Sequence, residues 1–88
     1  MAEIKKKASA GTMESSDAYV EVEPAAGVEI SVESVVLAQF GEQIRSSIEE
    51  VIKENEITGV RLRLADQGAL DCVIRARVET ALRRGKEA

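Results

Sequence analysis

The chain of 88 residues has no histidine and no tryptophan, one cysteine, one proline and two aromatic residues, Tyr19 and Phe40. Each shortage closes a class of function. Without histidine there is no imidazole base near neutral pH and no Ser-His or Cys-His nucleophile pair. A zinc site would have to be built from carboxylates and the thiol of Cys72, a poor match to the ligand sets zinc uses, so no metal site is expected. A single cysteine excludes an internal disulfide and fits a reducing compartment. No apolar run reaches membrane-spanning length. Lys5-Lys6-Lys7 is not followed by the apolar segment of a signal peptide. Neither a GxGxxG nor a Walker loop is present.

What remains is acidic and aliphatic. Asp and Glu outnumber Lys and Arg by 16 to 12, a net charge of −4 that opposes general affinity for nucleic acid. Arg61, Arg63, Arg75 and Arg77 read as solvated positions. They lack the row of aromatic platforms on which successive bases stack, and no GXXG loop or RNP-type motif accompanies them. The core must come from Val, Ile, Leu and Ala, and burial of one such aliphatic side chain contributes roughly 1.5–3 kcal/mol. A chain this short forms one core of modest stability, which assembly with partners would raise.

Residues 1–10 show no sustained periodicity and read as a flexible N-terminal lead-in to a single domain spanning 11–88. From Ala18, "AYVEVEP" puts Ala18, Val20 and Val22 on one side and Tyr19, Glu21 and Glu23 on the other. After "PAAG", the run "VEISVE" alternates again, and the pair reads as a β-hairpin. The period then changes to helical, with Ser34 as the expected N-cap and Leu37, Phe40, Ile44, Ile48, Val51 and Ile52 as the buried stripe through about Glu54. "VRLRL" is a third strand, and "ADQG" leads into a second helix with a stripe of Leu70, Val73, Ile74, Val78, Ala81 and Leu82. The expected fold is α+β: a small two-layer sandwich in the order β-β-α-β-α, two helices packed on one face of a three-stranded sheet. The crossover from the second strand to the third fits either adjacent parallel pairing or a split arrangement around the first strand.

Paired carboxylates occur at Glu49 and Glu50 and at Asp66 and Asp71, where solvated faces and caps are expected. Cys72, next to the second stripe, reads as a small packed hydrophobe with no activating partner. The stretch "ESSD" (Glu14, Ser15, Ser16, Asp17) reads as a loop, because Ser and Asp side chains bond locally to the backbone.

From Gly11 to about Arg84 the chain resembles the acyl carrier protein, or gamma subunit, of citrate lyase. "AGTMESSDAYVEV" is similar to that family's AGT-x-E-S-G-D opening. "QFGEQIRSSIEEVI" matches its first helix, and "GVRLRLADQGALDCVIRARVETAL" contains its D-x-GALDC-x-x-RAR core. The resemblance implies a non-catalytic carrier subunit of a lyase complex, cytoplasmic, with its prosthetic-group loop near 14–17. It implies a phosphoribosyl-dephospho-coenzyme A arm, covalently attached through a phosphodiester to Ser15, with Ser16 as second choice. The arm would present acetyl and citryl thioesters for cleavage of citrate to oxaloacetate and acetate. The implied partners are the citrate lyase alpha (transferase) and beta (lyase) subunits, a prosthetic-group transferase, and an acetate ligase acting on the thiol. Ser16 stands where the family commonly has glycine, and Asp17 matches its aspartate. Glu14 and Asp17 would flank an anionic phosphodiester and so are expected to act on the loop or on a metal-assisted transferase. The carrier of malonate decarboxylase, which uses the same prosthetic group, is a related alternative. An unmodified α+β protein- or RNA-interaction module is another.

Overall fold

A computed structural model describes residues 2–87. The alternation of valine with glutamate produces strands β2 (Ala18–Glu23) and β3 (Val28–Ser34), and "VRLRLAD" produces β4 (Val60–Asp66). Between them lies helix α1 (Leu37–Glu54), and helix α2 (Asp71–Lys86) follows. A further strand, β1 (Ala8–Gly11), precedes them all. The sheet therefore has four strands rather than the expected three, in the order β1-β2-β4-β3.

The extra strand lies inside the segment read as a lead-in. Its sequence, "ASAG", is too short and too small-sided to alternate visibly, yet Ala10 is buried and Ile4 joins the core. Ile4 seats against Gly85 of α2, where an added Cβ would approach it to 3.2 Å. The Lys5 N–H donates to the Gly85 carbonyl at 2.8 Å.

The hairpin expected from β2 and β3 does not form. Strand β4 lies between them, antiparallel to β2 (Val20 opposite Leu64) and parallel to β3 (Val32 opposite Leu64). Of the two arrangements open for the crossover, adjacent parallel pairing is the one present. The reason is burial: β4 hides Val60, Leu62, Leu64 and Asp66, whereas β3 buries none of its residues fully and belongs at an edge. The Pro24–Gly27 connection thus spans two strand spacings, roughly 9–10 Å, and passes over the start of β4. A Cβ on Gly59 would lie 2.2 Å from the Ala25 carbonyl oxygen, so only glycine fits beneath it.

Both helices cover one face of the sheet. Ile44, Ile48, Val51 and Ile52 of α1 and Ile74, Val78, Ala81 and Leu82 of α2 close over Val20, Val22, Leu62 and Leu64. Three details depart from the helical pattern. Helix α1 starts at Leu37 with Val36 at its N-cap, because Ser34 completes β3 opposite Asp66 and its hydroxyl donates to that carboxylate at 2.7 Å. Leu37 and Phe40, expected in the stripe, are about half exposed, since the first turns of α1 run past the edge of the core. Leu70, also expected there, is the N-cap of α2 and is 72% exposed.

Candidate functional site

The "ESSD" stretch joins β1 to β2. The chain leaves β1 through Gly11 at φ +93°, where a Cβ would sit 1.8 Å from the Ala18 carbonyl oxygen. From there it loops outward and returns as a tight turn. The Asp17 N–H donates to the Glu14 carbonyl at 3.1 Å, placing Ser15 and Ser16 at the two corners. Ser16 has φ +66° and Ser15 does not share this sign, which is the φ pattern of a type II turn. Glycine is the usual residue at that second corner because it has no Cβ to clash. A serine in the left-handed region costs on the order of 1 kcal/mol more.

Ser15 is exposed, and its hydroxyl makes no hydrogen bond among the described residues. The Ser16 side chain is likewise exposed, but its backbone is held: the Ser16 N–H donates to the Gln67 carbonyl at 2.8 Å. In return the Gln67 N–H donates to the Asp17 carbonyl at 2.9 Å. These two bonds extend the β2–β4 ladder beyond its last pair and fasten the turn to the loop after β4.

Asp17 fastens it on the other side. Its carboxylate accepts the Thr12 hydroxyl at 2.6 Å, the Ala18 N–H at 2.7 Å, and two N–H groups of Arg77, each at 3.0 Å. The guanidinium grips both oxygens, the strongest geometry available to this pair. Arg77, the Thr12 hydroxyl and the Ala18 N–H, in that order of effect, hold the Asp17 carboxyl down at about 2. Arg77 was not legible as part of the site, because 60 residues separate it from Asp17 and nothing in either neighbourhood signals the pairing.

The loop that receives the turn is itself built on a carboxylate. Asp66, 1% exposed, accepts the N–H groups of Gly68 at 3.2 Å and Ala69 at 2.8 Å on one oxygen and the Ser34 hydroxyl on the other. It is a structural residue at the centre of the platform, more deeply set than the cap expected of it. Beside this loop, Val36, Phe40, Ile44, Ala69, Leu70 and Ile74 line an apolar groove of about 280 Å³ between the starts of the two helices.

The remaining candidates fall elsewhere. Asp71 accepts the Ser47 hydroxyl and Arg75, which together hold its carboxyl below the ordinary value. Glu50 pairs with Arg75 as well, so the carboxylates expected on solvated faces brace α1 against α2. Cys72 is exposed rather than packed, because Ile74 takes the core-facing position. The four arginines do not share a surface: Arg75 and Arg77 belong to the α2 contacts just described, and Arg61 and Arg63 lie on the uncovered face of the sheet. Among the described residues no three Cys, Asp or Glu side chains gather as a metal site would require.

An exposed serine raised on a turn braced from both flanks is a geometry suited to presenting a group to other proteins. Comparison with known proteins narrows that reading. Residues 5–85 match the family model described as Malonate decarboxylase delta subunit (MdcD). Curated relatives include the citrate lyase acyl carrier protein of Treponema denticola, 46% identical and covering 97% of this chain and 98% of the relative. That of Latilactobacillus sakei is 51% identical over 94% of this chain and 83% of the relative. That of Cronobacter sakazakii is 49% identical over 97% and 89%. The chain belongs to the citrate lyase acyl carrier protein family. Among solved structures, a chain of a Pseudomonas malonate decarboxylase hetero-tetramer in complex with malonate has the same fold, with a TM-score of 0.73 at 20% identity, covering 94% of this chain and 87% of that one.

Proposed function

We propose that this chain is the acyl carrier of a citrate lyase complex, holding a phosphoribosyl-dephospho-coenzyme A arm on Ser15. The observation that carries this reading is the Glu14–Asp17 turn: an exposed serine with a free hydroxyl, at the first corner of a turn anchored on both flanks. A hydroxyl that a separate transferase must reach belongs on such a segment and not in the core. The residues fit the group. Ser15 is exposed, and of the two carboxylates that flank it Asp17 is paired with Arg77, which offsets its charge, while Glu14 is exposed and screened by solvent. Ser16 is the second choice. Its side chain is exposed like that of Ser15, and Ser15 is preferred because it aligns with the attachment serine of the family motif, where Ser16 takes the place of glycine.

When attached, the arm supplies a thiol that carries the acyl group as a thioester. The protein's own residues do the remaining work. Gly11 sends the chain outward, Arg77 and Gln67 hold the turn against the sheet, and the rigid α+β frame keeps it in one orientation. A covalent arm makes each transfer effectively intramolecular within an assembled complex, raising the local concentration of the thioester. The partners in this reading are the alpha (transferase) and beta (lyase) subunits, the prosthetic-group transferase and the acetate ligase, in the cytoplasm. Among the described residues no helix is long and apolar enough to cross a membrane. Service in malonate decarboxylase is the second reading, favoured by the family-model description and the shared fold. The identities of 46–51% to citrate lyase carriers favour the first.

Co-expression with the citrate lyase prosthetic-group transferase, followed by intact-mass measurement, tests the proposal. The expected result is a mass gain of one arm, lost in Ser15→Ala and kept in Ser16→Ala. An unchanged mass, under conditions that load an authentic citrate lyase carrier, would overturn it.

A further inference from the structure

The uncovered face of the sheet is graded. In register across β2, β4 and β3 its rows are Glu23–Arg61–Glu29, then Glu21–Arg63–Ser31, then Tyr19–Ala65–Glu33. The first row is a closed ion triplet, with Arg61 bonded to both glutamates. The last row lies next to the Ser15 turn and is different. Ala65 places a single methyl group between the Tyr19 ring and the Glu33 carboxylate, leaving a hollow of about 300 Å³. Its walls are Met13, Tyr19, Glu21, Ser31, Glu33 and Arg63, and the Tyr19 hydroxyl donates to the Glu21 carboxylate at 3.1 Å, which leaves the ring face open. Among the described residues, Arg63 and Glu33 are bonded to no partner, and Met13, two residues before Ser15, is 58% exposed beside them.

We infer that this hollow seats the adenine ring of the nucleotide arm attached at Ser15, an inference that rests on the carrier reading above. The walls match that ring group by group. An aromatic face stacks on a base whatever the base's identity. A guanidinium with no carboxylate attached packs over a heteroaromatic face or reaches the neighbouring phosphates. A carboxylate accepts the exocyclic amine hydrogens, and a thioether adapts to the ring edge. The groove on the helical side offers an aromatic ring, Phe40, and one amide, Gln43, but no cation. Its other side-chain walls are aliphatic, and Asp66 and Asp71 there are already hydrogen-bonded. Tethering lets a weak contact suffice. A short linker gives an effective concentration of the order of millimolar, so a base with millimolar intrinsic affinity is bound about half the time. The seated base would lie beside its own anchor, leaving the thiol end free to visit partner active sites.

Tyr19 is the only tyrosine and there is no tryptophan, so ultraviolet-excited emission reports on this one ring. Unloaded carrier is compared with carrier loaded by the transferase, loading being verified by mass. At half occupancy or more, tyrosine emission is expected to fall about twofold on loading. Cross-relaxation between adenine and Tyr19 ring protons is expected in the same sample. Ala65→Leu fills the hollow and Arg63→Ala removes its cation. Both lie on the uncovered sheet face and neither side chain takes part in the bonds that hold the turn, so both should load normally while keeping most of the unloaded emission. Normal loading with unchanged emission in the wild type overturns the inference and leaves the carrier reading standing. Equal quenching in the wild type and Ala65→Leu also overturns it, because the base would then be elsewhere. Failure of the wild type to gain mass overturns both.

Discussion

Two aspartates stand at the same end of this molecule and do different jobs. Asp66 and Asp17 each accept at least three hydrogen bonds, and each ties a loop to the sheet. Asp66 is buried, meets only backbone N–H groups and a hydroxyl, and determines the path of the chain from β4 into α2. Asp17 is near the surface, meets a guanidinium from another element, and fastens a turn already shaped by its own backbone. The first is part of the frame; the second is a clasp on it. In the reading proposed above a carrier needs both, because the frame holds its shape while the clasped turn stays open to a modifying enzyme.

The largest effect should come from the frame. Asp66→Ala leaves two amides and a hydroxyl without their acceptor in a dry site. It is expected to destabilise the fold by about 3 kcal/mol or more, lowering the thermal midpoint by more than about 10 °C. Asp66→Asn keeps the shape and one acceptor and should cost about 1 kcal/mol. Equal losses for the two substitutions, by thermal denaturation, would show that the carboxylate's bonds are not what matters.

Breaking the clasp should act locally. In Arg77→Ala the fold persists, while the Ser16 and Asp17 amides exchange with solvent roughly tenfold faster. The Asp17 carboxyl is held at about 2 against an ordinary value of 3.8. A carboxyl depressed by folding contributes its full stabilisation above the unfolded value, near pH 4, and loses it as pH falls through about 2. The carboxyl resonance of Asp17 should therefore titrate near pH 2 in the wild type and move towards 3.8 in Arg77→Ala. A wild-type midpoint near 4 would mean that the clasp is open in solution.

The smallest effect concerns the turn itself. Ser16→Gly relieves the left-handed serine and is expected to stabilise the fold by about 0.5–1 kcal/mol, a few degrees in thermal midpoint. Any loss of stability would imply that the Ser16 side chain has a partner in solution.

Much of this architecture could be read from the chain, and the failures share a cause. Alternation in "AYVEVE", "VEISVE" and "VRLRL" located three strands, and the 3.6-residue period located both helices, because each signal lies within one element. Whatever depended on distant residues was not legible. Strand β1 has only two alanines to turn inward and is held from outside, by Val20 and Val22 beside it and by Arg84, which donates to the Ser9 carbonyl at 2.8 Å. The supposed hairpin was a local reading of Pro24–Gly27, overruled by the greater burial of β4. Cys72, Leu37, Phe40 and Leu70 carry apolar side chains on helical ends that extend past the core, where periodicity continues after burial stops. Within the site, the motif pointed to the serine turn, but the Arg77 clasp and the left-handed Ser16 became visible only in three dimensions.

The interior position of β4 has a consequence for how the sheet is made. Of its three strand pairings, β1 with β2 is the one made without a helix or a strand intervening; the other two both require β4. Growth of the sheet cannot proceed strand by strand along the sequence. Until Val60–Asp66 is synthesised, β3 has no partner and β2 has only a four-residue one. Contacts of such long sequence separation slow the folding of a small domain and make it all-or-none. The last strand to be made is thus the one that joins the two halves of the sheet.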